Sequence, residues 1–247
     1  MTDHFSGVAP EYALRRPGYP PELFAYLGSL CRRRELAWDC AAGSGQASIP
    51  LAEFFQRVLA TDSSSAMLGR APRHPRVEYR VAAETCGLAE ASADLVTVAQ
   101  ALHWLDVDRF YAEVRRVLAP GGVLAVWTYG VQQIDDEAID RVLRHFYTEV
   151  VGPYWPKERR HVEEGYRSLP FPFPELPQPA FSMQVQWSLP ELLGYVGTWS
   201  ATQRFRESRG QDPLNDLAGE LDPLWRGAAT VRRVSWPLSM RVGRRPA

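Results

Sequence analysis

The sequence predicts an α/β fold built on a doubly wound parallel sheet, on three observations. Short apolar runs alternate with amphipathic segments between Leu36 and Tyr129, the pattern of βαβ units with helices on both faces of a sheet. The run Asp94–Gln100 has too few polar residues for a strand with one face in water. A glycine turn, Gly43-Ser44-Gly45, closes the first apolar run, where such sheets bind ligands. With 247 residues the chain has room for one domain carrying an elaborate insertion.

The elements follow in order. Leu23, Tyr26, Leu27 and Leu30 mark an amphipathic helix ended by Arg32, Arg33 and Arg34. Leu36–Cys40 reads as the first strand. A helix through Ile49, Leu51, Ala52 and Phe55 follows the turn, with Pro50 near its first turn, where a missing N–H costs little. Arg57–Asp62 is the second strand, and Ser63–Ser65 supply an N-cap for a short helix through Met67 and Leu68. Val77–Val81 is the third strand and Asp94–Gln100 the fourth. Phe110, Val114, Val117 and Leu118 share a helix face; Pro120-Gly121-Gly122 breaks it before a fifth strand, Val123–Trp127.

The remainder is built differently. Asp135, Asp136 and Glu137 charge the first turn of a helix with the stripe Ile139, Val142, Leu143, Phe146 and Val150. Residues 152–180 read as a long Pro-rich loop, the length of a lid or binding segment. Strands at 181–189 and 231–242 flank helices near 190–200 and 213–226. Five of the eight tryptophans (Trp155, Trp187, Trp199, Trp225 and Trp236) fall in this part.

Composition narrows the function. Hydrophobic residues make up 45% and charged residues 23%, and 28 basic against 29 acidic side chains leave a net charge of -1. The basic footprint of a nucleic-acid or anionic-membrane binder is absent. No apolar run is long enough to span a bilayer, and the start Met1-Thr2-Asp3-His4-Phe5 has no signal-peptide pattern. Three scattered cysteines and five dispersed histidines give neither a disulfide framework nor a zinc site. The expectation is a cytoplasmic, metal-free protein.

The glycine turn is the candidate site. Gly43 and Gly45 let a ligand approach the backbone at a helix start, and Asp62 ends the second strand, where a carboxylate accepts from ribose hydroxyls. The third fingerprint position of a dinucleotide site is Ser48, neither Gly nor Ala. Asp39 is expected to face the ligand, where it would repel a pyrophosphate by a few kcal/mol but suit an ammonium and a sulfonium. Charge therefore favours S-adenosylmethionine over a nicotinamide cofactor. The alternatives are a nicotinamide-dependent oxidoreductase and a binding protein without turnover.

With these residues the chain resembles the class I S-adenosylmethionine-dependent methyltransferases, in the type 11 group and nearest to trans-aconitate methyltransferase-like proteins. The resemblance rests on Arg16-Pro17-x-Tyr19-Pro20, Asp39-x-Ala41-x-Gly43-x-Gly45-Gln46, Asp62, Ala83-Glu84, Gln100-Ala101-x-His103-Trp104, Pro120-Gly121-Gly122 and Thr198-Trp199-Ser200-Ala201. It implies a seven-stranded, mostly parallel sheet with the last strand antiparallel, and an inserted cover of helices and loops. It also implies one methyltransferase domain over 1–247: N-terminal cover helices at 1–34, a cofactor-binding core at 35–130, a cover with one strand at 131–229 and a final strand at 230–247.

Carried over by position, Gly43 and Gly45 would pack against the methionine part of the cofactor and Asp62 would bind the ribose, with Asp39, Ala41, Gln46, Ser63 and Met67 as further cofactor-binding residues. Ala83 and Glu84 would lie beside the adenine, although Ala82 replaces the Asp or Ser common in relatives. Gln100 and Ala101 would flank the methionine end. Tyr12, Arg16, Tyr19, His103, Trp104 and Trp199 would meet a small-molecule acceptor. Arg16 suits a carboxylate; Arg204 is a further cover residue able to face substrate. His103 reads either as a catalytic base or as a residue that orients its loop. In-line methyl transfer chiefly needs alignment and exclusion of water; with the cofactor motif joined to an aromatic cover, the expected reaction is O-methylation of a carboxylate or hydroxyl on a small molecule.

Overall fold

The computed structural model describes residues 17–227 and 230–247. Five strands, β1 (Leu36–Cys40), β2 (Arg57–Asp62), β3 (Val77–Val81), β4 (Ala93–Ala99) and β5 (Leu118–Tyr129), run parallel in the order β3-β2-β1-β4-β5. β8 (Arg232–Arg244) pairs antiparallel with β5 through its second half, and β7 (Ser182–Trp187) pairs antiparallel with its first half. These are the seven strands that the resemblance implies, with the last antiparallel. A two-residue strand, β6 (Gln133–Ile134), adds to them. Strand order reverses between β1 and β4, the switch point that opens a crevice at the strands' carboxyl ends.

Burial explains the sheet. β1 and β4 are buried almost throughout, as strands covered on both faces must be. One face packs Trp38, Val96, Val98 and Val126 against Phe110, Val114 and Val117 of α4 (Val107–Val117), which follows α3 (Ser65–Leu68). The other packs Ala37, Leu95, Val123 and Trp127 against α1 (Pro21–Leu30) and against Leu51 of α2 (Ser48–Leu51). Asp106 caps α4 by accepting from the Arg109 amide at 3.2 Å, and Ser64 caps α3 by accepting from Met67 at 3.3 Å. Each cap satisfies an N–H that has no partner within its helix.

A third core holds the cover together. Ile139 and Leu143 of α5 (Glu137–His145) meet Leu192 and Tyr195 of α7 (Leu189–Gly197), Leu221 and Trp225 of α9 (Leu214–Trp225), and Trp236 of β8. Three expectations change. The loop at 152–180 contains a 3-10 turn, Gly152–Tyr154, and the short helix α6 (Arg159–Glu163). The helix after the glycine turn ends at Leu51 instead of reaching Phe55. Helix α8 (Ser200–Arg209) has no apolar stripe to announce it, burying only Ala201 and Thr202. Among the described residues no helix is long and apolar enough to cross a membrane.

Candidate active site

A cavity of about 600 Å³ opens at the carboxyl ends of β1, β2 and β4. Its floor is the glycine turn, lined by Ala41, Gly43 and Gln46; Asp62, Ser63 and Met67 form one wall and Gln100 and Ala101 another. Tyr19, His103 and Trp104 close the far end. Eleven of the sequence-predicted residues thus meet around one space. Tyr12 and Arg16 lie outside the described residues.

Asp62 organises the near end. Its Oδ2 accepts from the Gly43 amide at 2.8 Å and its Oδ1 from the Ser64 amide at 2.8 Å. One carboxylate thereby joins the glycine turn to the start of α3, and each oxygen keeps lone-pair capacity for a further donor. Gly43 sits at φ +57, where its lack of a Cβ removes the strain. Ala41 at φ 55 and Gln100 at φ 56 adopt the same region with side chains, a cost of roughly 1–3 kcal/mol each of the kind that gathers at functional sites.

Asp39 corrects the sequence argument. It does not line the cavity. It is 0% exposed and stands opposite Thr97 in the β1–β4 register, accepting from Thr97 Oγ1 at 2.9 Å and from Ser48 Oγ at 2.6 Å. Burial pushes its carboxyl up to about 6, against those two hydrogen bonds. Alternation along the strand turns the side chain into the sheet's packed face, where Ser48, the residue at the third fingerprint position, supplies one of its two hydrogen bonds.

Four other predicted residues also lie off the cavity lining. Gly45 at φ +81 packs the turn on Tyr79, whose Oη a Cβ would meet at 2.8 Å. The Ala83 carbonyl faces Cys40 Sγ at 3.6 Å. Buried Glu84 accepts from the Asp106 amide at 3.1 Å, tying the loop after β3 to α4. Trp199 is buried behind the cavity, its ring 5.7 Å from that of Trp155.

At the far end, Gln100 turns its side chain to β5, accepting from Thr128 Oγ1 at 2.6 Å and the Tyr129 amide at 2.8 Å while donating to the Tyr129 carbonyl at 3.0 Å. Its backbone is what remains for the cavity. His103 Nδ1 lies 2.9 Å from the Tyr166 hydroxyl. Burial, with Arg159 and His161 nearby, pulls this imidazole down to about 3, so the ring is neutral. The cover contributes Trp155, Pro156, Lys157, Glu158 and Arg204. Only Arg204 among these was singled out as a substrate contact; the lid-length loop and the chain's single lysine were the available signals for the others. Among the described residues no three His, Cys, Asp or Glu side chains form a metal cluster.

A cavity of this volume falls in the range of small-ligand sites. Its floor without a Cβ at Gly43 and the carboxylate on its wall fit the methionine and ribose ends of S-adenosylmethionine. Comparison with known proteins agrees. Residues 38–126 match the profile of a methyltransferase domain. A provisionally named methyltransferase of Dictyostelium discoideum is 31% identical over 250 residues, covering 98% of this chain and 95% of that protein. The solved structure of a provisionally named type II methyltransferase from Anaeromyxobacter dehalogenans is 48% identical at a TM-score of 0.89, covering 94% of this chain and 99% of that one. Haemonchus contortus phosphoethanolamine N-methyltransferase 2, solved with phosphomonomethylethanolamine and S-adenosylhomocysteine, shares the fold alone, at 16% identity and a TM-score of 0.51 over 100% of this chain and 58% of that one.

Proposed function

The chain belongs to the S-adenosylmethionine-dependent methyltransferases, and on that premise we propose that it methylates a small molecule, at a carboxylate or hydroxyl oxygen, by in-line displacement. The observation that carries this reading is the single cavity running from the glycine turn to the aromatic cover. The cofactor supplies an electrophilic methyl group on a sulfonium; the protein's part is to bind, align and keep out water, an effect worth up to roughly 7–11 kcal/mol.

The roles follow position. The amide-rich turn at Ala41–Gln46 receives the methionine part, Asp62 the ribose hydroxyls, and Ser63 and Met67 the adjoining wall. Ala101 and the Gln100 backbone flank the methionine end. Asp39, Gly45 and Glu84 act one layer back, holding the turn and the adenine-side loop, with Ala83 beside them. Tyr19, Trp104, Trp155 and His103 enclose the acceptor, and Trp199 supports Trp155. Arg204 and Lys157 at the cover end favour an acceptor carrying a negative group. A net charge of -1 argues against a nucleic-acid acceptor, and a small metabolite suits action in the cytoplasm.

The test is calorimetric titration with S-adenosylhomocysteine, expected to bind one per chain; absence of binding at high micromolar concentration sinks the reading. Methyl-labelled cofactor incubated with fractionated metabolites then identifies the acceptor by which fraction takes up label.

A further inference from the structure

We infer that a second cavity, on the outer side of the wall made by Trp155, Pro156 and Lys157, is a binding site for a carboxylate or phosphate group, gripped by Arg159. This cavity has a volume of about 330 Å³. Trp155, Pro156 and Lys157 line it and also line the cavity of the glycine turn, so one segment of chain separates the two spaces. Arg159, Arg160 and Glu163 of α6 line it too, with Tyr147 from the helical turn Phe146–Val150.

Tyr147 sets the geometry. Its carbonyl accepts from Trp155 Nε1 at 3.3 Å, and its hydroxyl accepts from Arg159 Nε at 2.7 Å. A guanidinium can only donate, so the phenolic proton goes to Glu163 Oε1, 2.7 Å away. One buried tyrosine thus fixes both the indole and the guanidinium. Arg159 Cζ also lies over the Trp155 ring, 4.6 Å from its centroid, where the ring's electrons attract a cation.

The donors left over point to a ligand. Among the described residues the two Nη groups of Arg159 donate to no protein atom, and no carboxylate pairs with Arg159 or Lys157. Arg241 is the contrast. It lies over Phe171 at the same 4.6 Å, yet places Nε, Nη1 and Nη2 all on protein acceptors. Arg160 is shared with Glu164 at 3.8 Å, and Glu163, the acidic residue of the lining, has one oxygen engaged by Tyr147. Lys157 and Arg159 therefore leave the cavity positive. The planar Nη pair matches two oxygens of a carboxylate or phosphate, and holding it in place beforehand removes part of the ordering cost of binding.

The site stands whether or not the inner cavity transfers a methyl group. Two sources carry the same chemistry: the far end of a methyl acceptor that reaches past the wall, and a separate small anion.

Inorganic phosphate titrated into nitrogen-15-labelled protein tests the site. The Arg159 Nε–H and Trp155 indole N–H signals, assigned by Arg159→Lys and Trp155→Phe, are expected to shift saturably with phosphate and not with sodium chloride of the same ionic strength. Read at Trp155, Arg159→Gln should weaken phosphate about tenfold. Tyr147→Phe removes no charge and should weaken it about threefold, while Arg204→Gln in the inner cavity leaves it unchanged. No saturable shift, an equal shift with chloride, or a loss in Arg204→Gln with full affinity in Arg159→Gln overturns the inference. Should Arg159→Gln not fold, the chloride comparison and Tyr147→Phe decide. In methyl transfer to the labelled metabolite pool, phosphate that competes with the metabolites in the wild type but not in Arg159→Gln marks the acceptor's own tail; transfer without such competition marks a separate anion. Calorimetry with S-adenosylhomocysteine on the same samples keeps the claims apart: phosphate binding without cofactor binding removes the function and leaves the site.

Discussion

The Asp62 carboxylate and the Gly43 amide are joined by a 2.8 Å hydrogen bond that closes the glycine turn over the end of β2. The same side chain accepts from Ser64 at 2.8 Å, so it both shapes the cavity and faces it. Asp62→Ala is expected to weaken S-adenosylhomocysteine binding by roughly 1–3 kcal/mol, since the Gly43 amide and the ligand's hydroxyls lose one acceptor together. Asp62→Asn keeps one acceptor oxygen and should fall between. Calorimetric affinities for the three proteins check this, and an unchanged affinity in Asp62→Ala would show that the ribose binds elsewhere.

Asp39 gives a pH test of burial. Its carboxyl lies near 6 in the folded chain against 3.8 as an ordinary carboxyl. The folded state therefore holds the proton more tightly than the unfolded chain. Between about pH 4 and 6, Asp39 makes stability fall as pH rises, by on the order of 3 kcal/mol in all. Asp39→Asn should abolish that component, so the variant's advantage over wild type grows from acid to neutral pH. Urea midpoints across pH 4–7 measure it; parallel curves would mean that Asp39 is ionised at no cost.

The imidazole of His103 works in the opposite sense. Lowered from 6.5 to about 3, it is proton-poor in the folded state relative to the unfolded chain. Its share of stability is present above pH 6.5 and is lost as pH falls toward 3. His103→Gln is expected to make acid unfolding shallower over that window, followed by circular dichroism. An identical acid limb in both proteins would place the proton uptake on other groups.

Glycine 45 is held by space as well as by conformation. Its φ of +81 strains any side chain, and an added Cβ would meet Tyr79 Oη at 2.8 Å, a hydroxyl itself anchored to the Pro72 carbonyl at 2.9 Å. Gly45→Ala should destabilise by about 1–3 kcal/mol. Adding Tyr79→Phe should recover only the steric part, leaving the backbone strain. Denaturant melts of the single and double variants test this, and full recovery would assign the whole cost to the clash.

The parallel core was readable because both faces of β1, β2 and β4 are buried, so local apolar runs carry their own boundaries. Leu36–Cys40 and Arg57–Asp62 coincide with the observed strands, and β4 starts one residue before the expected Asp94. Asp39 was misread for a physical reason: spacing placed it beside the turn, but the facing of a strand side chain depends on partners such as Thr97 from another strand. The acceptor end was less legible. Trp155 and Lys157 reach it from a loop-rich cover, Tyr166 stands behind His103 from 63 residues away, and α8 has no apolar periodicity to reveal it.

That division between core and cover yields the last expectation, on the pair Trp155 and Trp199. Trp155 lines the cavity, while Trp199 is buried behind it with rings of Phe146, Tyr147 and Tyr195 within 6.3 Å. Trp155→Ala should lower methyl transfer to the labelled metabolite pool while leaving S-adenosylhomocysteine affinity within about twofold. Trp199→Ala opens a cavity in the cover core and should cost about 3–5 kcal/mol of stability. Trp199→Phe should retain most of that stability but let Trp155 shift, which raises KM more than it lowers kcat. A Trp155→Ala protein with unchanged methyl transfer and weakened cofactor binding would reverse the assignment of the two ends of the cavity.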